Sequence, residues 1–199
     1  MAYSDFKLDE LKTKFGLKFV EHQRLFVDVP RQPLTPEALA ALARYKFLAL
    51  TIHTEKARSE YIIAPFLAEL KLMYPETLSL FSGIEFNVDK KSGLVGRCDF
   101  IISRAPENYI LTDPVVVMVE AKNDNIKSGL AQCGAEMVAA QRFNQAKQNS
   151  QPVIYGCIST GTNWKFLQLI GQDLYIDPDE YYIDDPEKIM GIFVKIAVG

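Results

Sequence analysis

The chain has 199 residues, of which 48% are hydrophobic, and its 22 Lys and Arg stand against 25 Asp and Glu for a formal charge of −3. This composition supports a sizeable packed core and excludes a disordered chain. The acidic balance excludes a protein that coats nucleic acid through net charge alone, because phosphate neutralisation needs clustered cations. Apolar runs reach only five or six residues, against the ~20 needed to span a bilayer. The opening residues also lack the charged-then-apolar pattern of a secretion signal. Cys98, Cys133 and Cys157 are too scattered for a disulfide framework, and with only His22 and His53 beside them a zinc site is not expected. The cysteines read as small buried apolar residues. The prediction is a soluble cytoplasmic protein with no membrane partner, a single domain over 1–199 in which residues 1–50 form an N-terminal extension packed on a core of residues 51–199.

In chain order, Leu8, Leu11 and Phe15 have helical spacing and Gly16 ends that segment. Leu17 to Val29 alternates roughly and predicts one or two strands, followed by a loop punctuated by Pro30, Pro33 and Pro36. Thr35-Pro36-Glu37 is a helix start, with Thr as cap and Pro at the first helical position, and the helix is expected to reach about Ala49. A second helix is expected from Thr54 to Met73, kinked at Pro65, with Ile62, Ile63, Phe66, Leu67, Leu70 and Met73 as its buried stripe. Glu60 lies three and seven positions before Ile63 and Leu67, at the edge of that stripe.

Ile84–Val88 and Leu94–Ser103 predict two strands joined by the turn Asp89-Lys90-Lys91-Ser92-Gly93. Val115 to Ala121, five apolar residues and then a charge, suits a central strand covered on both faces. A helix from about Ser128 to Gln148 follows, then strands over Val153–Ile158 and Trp164–Ile170, extensions near Asp173–Ile176 and Glu180–Ile183, and a last helix capped by Asp185-Pro186-Glu187. The order predicts a mixed α/β fold, a central sheet sandwiched by helices.

Charges at the ends of two buried strands carry the chemistry. Glu120 and Lys122 are one residue apart on a strand, so both side chains point the same way, while Ala121 points into packing. Asp99 sits on the preceding strand of the meander and can converge with them. Two carboxylates and no histidine favour Mg²⁺ or Mn²⁺, which prefer oxygen ligands and keep waters. Such an ion lowers the pKa of a bound water and neutralises charge on a scissile phosphate, with Lys122 placed to hold the attacking water or the phosphorus centre.

These residues resemble the signature of the PD-(D/E)XK, or restriction-endonuclease-like, nuclease superfamily: an Asp on one strand and Glu-x-Lys on the next, here Asp99 and Glu120-Ala121-Lys122. The order helix, three-stranded meander, helix, strand over about residues 55–160 is similar to that superfamily's core. The resemblance implies a restriction-endonuclease-like core and Mg²⁺- or Mn²⁺-dependent hydrolysis of phosphodiesters, with DNA as the expected substrate. It further implies site roles for Glu60 on the first core helix and Gln132 on the helix after Glu-x-Lys, and metal ligation by Asp99, Glu120 and Glu60. Cys98 stands where the literal motif has Pro. The segment Thr160-Gly161-Thr162-Asn163-Trp164-Lys165-Phe166 resembles one in nuclease domains of type I restriction subunits, and the whole chain is similar to cyanobacterial members of the superfamily.

Each residue also has a bland reading. Glu120 and Lys122 could be a strand end emerging into solvent, Asp99 a strand-edge residue bonding a turn, and Glu60 a solvated residue or a partner of Arg58. Gln132 could bond the backbone near the helix start. Glu136, one turn on, is either a further polar site residue or the partner of a core Lys or Arg. Glu85 reads as a structural strand residue and Trp164 as a packing aromatic. Lys90, Lys91 and Arg97 could touch a nucleic-acid backbone or simply solvate a turn. His22 and His53 receive no role. Two further functional readings stand beside the nuclease: a catalytically inactive module of the same fold, and a self-associating protein (a homodimer, or part of a larger nuclease complex) in which the apolar last helix either packs between copies or closes the core.

Overall fold

Seven consecutive residues without an exposed member, Val115–Ala121, form the central strand of the computed structural model, which describes residues 2–149 and 151–199. The element order is a 3-10 turn (Tyr3–Asp5), α1 (Leu8–Phe15), β1 (Lys18–Val20), α2 (Pro36–Ile52), α3 (Glu55–Arg58), a π-helical turn (Ser59–Ile63) and α4 (Ala64–Met73). Then come β2 (Ser79–Glu85), β3 (Arg97–Ser103), β4 (Val115–Ala121), α5 (Ile126–Ala146), β5 (Val153–Ser159), β6 (Asn163–Ile170), β7 (Asp173–Ile176), β8 (Tyr181–Tyr182) and α6 (Pro186–Ala197). One mixed sheet runs in the order β1-β7-β6-β5-β4-β3-β2, with β8 on β6. β4 and β5 are parallel, as a crossover through α5 requires, and β1 is parallel to β7, while the other pairs are antiparallel.

The sheet separates two apolar cores. One gathers Ile62, Phe66, Leu67, Val117, Val119, Trp164 and Phe193 beneath α2, α4 and α6. The other gathers Leu11, Ile101, Met118, Met137, Ile158 and Leu174 beneath α1 and α5. The protein is therefore α/β, a mixed central sheet flanked by helices on both faces. The first fifty residues supply α1, most of α2 and the edge strand β1 to it.

Several helix starts follow the sequence. Thr35 accepts from Ala38 N and Thr54 from Ala57 N, each at 3.1 Å, and Asp185 accepts from Lys188 N at 3.4 Å. The second predicted helix departs from a single rod kinked at Pro65. Regular α geometry already ends at Arg58 and a π turn occupies Ser59–Ile63. Pro65 has no N–H to return to the preceding turn and its ring crowds that turn's carbonyl, which a wider turn relieves. The predicted strand over Leu25–Val29 is also absent. The carbonyls of Phe26, Val27 and Val29 accept instead from the Lys188 ammonium at 2.7, 3.0 and 2.6 Å, so this stretch is satisfied by a side chain of α6 rather than by a sheet.

α6 closes the core: Ile189, Met190, Ile192, Phe193 and Ile196 are all buried. Trp164 is buried too, its Nε1 donating to Gly161 O at 3.1 Å and its ring packed on Phe66 and Phe193. Against β5, α5 approaches so closely that a Cβ on Gly156 would lie 2.5 Å from Met137 Sδ and 2.8 Å from Cys133 Sγ. Gly156→Ala is expected to cost about 1–3 kcal/mol, as overpacking does in close-packed cores, measured as a drop in the urea midpoint at unchanged m-value.

Candidate metal centre

β3 and β4 pair antiparallel, with Phe100 opposite Val119. Next to that pair stand Asp99, two residues from the start of β3, and Glu120, one residue from the end of β4. Asp99 Oδ2 accepts from Ala121 N at 2.8 Å, which ties its carboxylate to the end of β4. Lys122 leaves β4 but is held in line by its own N–H, which donates to Ser159 O on β5 at 2.8 Å. Its ammonium lies 2.5 Å from Glu120 Oε1 and 3.4 Å from Gln132 Oε1. Gln132 Nε2 in turn donates to Glu136 Oε1 at 3.2 Å. Asp99, Glu120, Lys122 and Gln132 thus come together.

The electrostatics of this group are unbalanced. Glu120 is only 2% exposed, and its Oε2 finds no hydrogen-bond partner among the described residues. Burial, and then the charge of Asp99, push its pKa up to about 8. Burial alone would lower Lys122, but Glu120 beside it outweighs that and holds the ammonium above its ordinary value. Glu55 adds negative field to both groups. One ammonium therefore serves Asp99, Glu120 and Glu55, and the site has a deficit of positive charge.

Glu60 and Glu55 divide differently from the sequence expectation. Both line a cleft of about 250 Å³ with Lys56, Ser59, Ser82, Gly83, Asp99 and Ala121. The Glu60 carboxylate, however, is half exposed and paired with Lys56 at 2.9 Å, not with Arg58. Glu55, at the first position of α3, is the acidic helix residue whose charge reaches Glu120. A regular helical period gives no reason to prefer it over Glu60, since the π turn that sets the relation between the two halves of this helix is not readable as a pattern.

Three further residues were not singled out from the sequence. Gly83 lies on β2 between the pairs Ser82–Phe100 and Ile84–Cys98, hence alongside Asp99, and a Cβ built on it meets nothing within 4 Å. It keeps the mouth of the cleft open. Gly129 sits against Lys122: a Cβ there would stand 3.3 Å from Lys122 Cγ and Cε and 2.8 Å from Ile158 Cγ2. The lysine stem lies in the groove this glycine leaves, and Gly129→Ala is expected to displace the ammonium, read as a shifted Lys122 side-chain signal in NMR. Arg58, only 6% exposed, donates to Thr160 O at 2.9 Å, lies 3.2 Å from His53 Nδ1 and approaches Asp124 at 3.7 Å. It fastens α3 to the loop after Lys122 and to the β5–β6 turn. A buried Arg beside an apolar stripe is the signal that could have found it.

Among the described residues no three His, Cys, Asp or Glu side chains form a ready metal cage. The donor set nonetheless fits a hard cation that keeps most of its waters. Mg²⁺ is commonly held by one or two carboxylates together with substrate phosphates. Here Asp99 and Glu120 are adjacent, and Glu120 carries an orphaned buried oxygen. No helix among the described residues is long and apolar enough to cross a membrane. No protein-family model matches the chain, and neither does any curated protein.

Proposed function

We propose that this chain is a Mg²⁺-dependent nuclease with a restriction-endonuclease-like core of the PD-(D/E)XK type, hydrolysing phosphodiesters in nucleic acid, DNA first. The observation that carries the reading is the grouping of Asp99, Glu120 and Lys122 at the adjoining ends of β3 and β4, with too little positive charge for its carboxylates. Structural ion pairs are ordinarily balanced, whereas two adjacent carboxylates sharing one ammonium accommodate a further cation.

Asp99 and Glu120 would hold the metal, Glu120 through the oxygen that has no protein partner. When bound, Mg²⁺ supplies a Lewis acid for the phosphate and an acidified water at neutral pH. Lys122 orients the attacking water and offsets the charge that grows on the phosphate oxygens, exchanging its contact with Glu120 for that task. Gln132 steadies the ammonium from the α5 side. Asp99, held by Ala121 N, is fixed before any ligand arrives, so little reorganisation is needed at the moment of reaction. Gly83 leaves room for a strand of substrate at the open side.

The inactive module of the same fold has one specific observation in its favour: Lys122 already spends its charge on Glu120 at 2.5 Å, in a chain of net charge −3. Calorimetric titration with Mn²⁺ separates the two readings. One ion per chain, lost in Asp99→Asn, supports the nuclease. An absence of binding at millimolar Mn²⁺ favours the module.

A further inference from the structure

We infer that Glu136 is a positioning residue for this site: from full burial beneath it, its carboxyl fixes which end of the Gln132 amide faces Lys122. The inference rests on the nuclease reading for its consequence in catalysis, though not for its geometry.

Glu136 lies on α5 one turn beyond Gln132 and is 0% exposed. A buried Glu in an apolar helix face is ordinarily the partner of a Lys or Arg. Here neither cation reaches it. Its bond is the one from Gln132 Nε2 to its Oε1 at 3.2 Å, and its Oε2 has no partner among the described residues. Such a group costs stability, so packing alone does not account for it.

Its effect follows from the chemistry of an amide. Gln132 has one acceptor end and one donor end, and Lys122 can only donate. With nothing behind it, the partly buried Gln132 side chain is free to rotate, and half of its orientations aim Nε2 at the ammonium. An acceptor at Glu136 holds Nε2 inward and leaves Oε1 toward Lys122 Nζ, at 3.4 Å. The series Glu136–Gln132–Lys122–Glu120 is thus directional. Burial, followed by the charge of Glu120, favours the protonated form of Glu136; the proton then sits on the unpartnered Oε2 and Oε1 remains the oxygen that accepts from Gln132 Nε2, so glutamine is its nearest substitute. Tyr3, buried and donating to Phe86 O at 2.6 Å, is near enough to feel the charge of Glu136.

The test compares Glu136→Met, which removes the acceptor but keeps the volume, with Glu136→Gln, which keeps both. It has two readouts: Mg²⁺-dependent cleavage of a DNA substrate, and the Gln132 side-chain amide signal in nitrogen-15 NMR, assigned by its loss in Gln132→Met. The expected result for Glu136→Met is a protein at least as stable as wild type, with a Gln132 signal at the free-amide position. Its saturated cleavage rate should fall about 10- to 100-fold at a KM within about twofold, the size seen when the partner behind a site residue is lost, with Glu136→Gln within about threefold of wild type. A wild-type Gln132 signal and rate in Glu136→Met would overturn the inference, and so would equal losses in the two variants. If Glu136→Met does not fold, Glu136→Leu, which also removes the acceptor, decides: a displaced Gln132 signal there supports the inference and a wild-type one contradicts it. If the wild-type protein cleaves nothing, the nuclease reading fails and the NMR comparison still settles the role of Glu136.

Discussion

Lys122→Ala is expected to abolish Mg²⁺-dependent cleavage, lowering the rate by about 100- to 1000-fold, the usual size of losing one donor aimed at developing charge. The fold should survive. Lys122 is the partner of a buried carboxylate, and removing one member of a buried pair is ordinarily severe. Here Glu120 already has its pKa pushed up to about 8 by burial and Asp99. At neutral pH it therefore already holds a proton most of the time, and without the lysine it holds it more firmly, which keeps the cost well below that of stranding a full charge. The circular dichroism spectrum should match wild type, with a modest fall in the thermal midpoint. Full activity in the folded variant would remove Lys122 from the mechanism.

The second large effect is on stability, and its sign depends on pH and on metal. Glu120 titrates near 4.5 in an unfolded chain and near 8 in the folded protein. Below pH 4.5 it is protonated in both states and costs nothing. Between those values the folded state retains a proton that the unfolded state has released, so stability falls as pH rises, and the loss is complete above about pH 8. The metal-free protein is therefore expected to lose thermal stability steadily from pH 5 to pH 8.5.

Adding Mg²⁺ should reverse this at the alkaline end, where the carboxylate is free, and do little at pH 5, where protons occupy it. Metal at about 100 times its Kd contributes about 2.7 kcal/mol. Asp99→Asn separates the two effects. The amide oxygen keeps the bond to Ala121 N, while the charge of Asp99, which raises Glu120 after burial does, is gone. At pH 8 this variant should be more stable than the metal-free wild type by about 1 kcal/mol or more, one pKa unit being worth about 1.4 kcal/mol, and it should not respond to Mg²⁺. A less stable Asp99→Asn with an intact Mg²⁺ response would mean that Asp99 is a structural residue. A site that destabilises its own empty fold is the common trade of stability against function.

How far the sequence could be read depends on the range of the interactions involved. β4 was legible to the residue, since Val115–Ala121 is an apolar run long enough to name a central strand, and Glu120 and Lys122 followed from the two-residue period of a strand. Asp99 came with them through the meander. The helix starts at Thr35, Thr54 and Asp185 are local and were equally plain.

Features set by tertiary contact were not legible. β1 joins β7 across more than 150 residues, which no local pattern encodes. Leu25–Val29 has an alternating pattern but gives its carbonyls to Lys188 instead of a strand. Glu55 was overlooked because the π turn disturbs the period on which the helix was read. Gly129 matters for the Lys122 stem it leaves room for, and Gly83 for its place alongside Asp99, and both appear only once β2, β3 and α5 are placed around Asp99 and Lys122. Glu136 was visible as a residue on the face of Gln132, but only the structure shows that its partner is that glutamine and not a Lys or Arg.

The metal-site assignment is tested most directly by anomalous scattering from crystals grown with Mn²⁺. A single peak within bonding distance of Asp99 and the free oxygen of Glu120, with Lys122 Nζ turned away from Glu120, is the predicted result. The absence of a peak there at saturating Mn²⁺, with the Glu120–Lys122 contact intact, would contradict it.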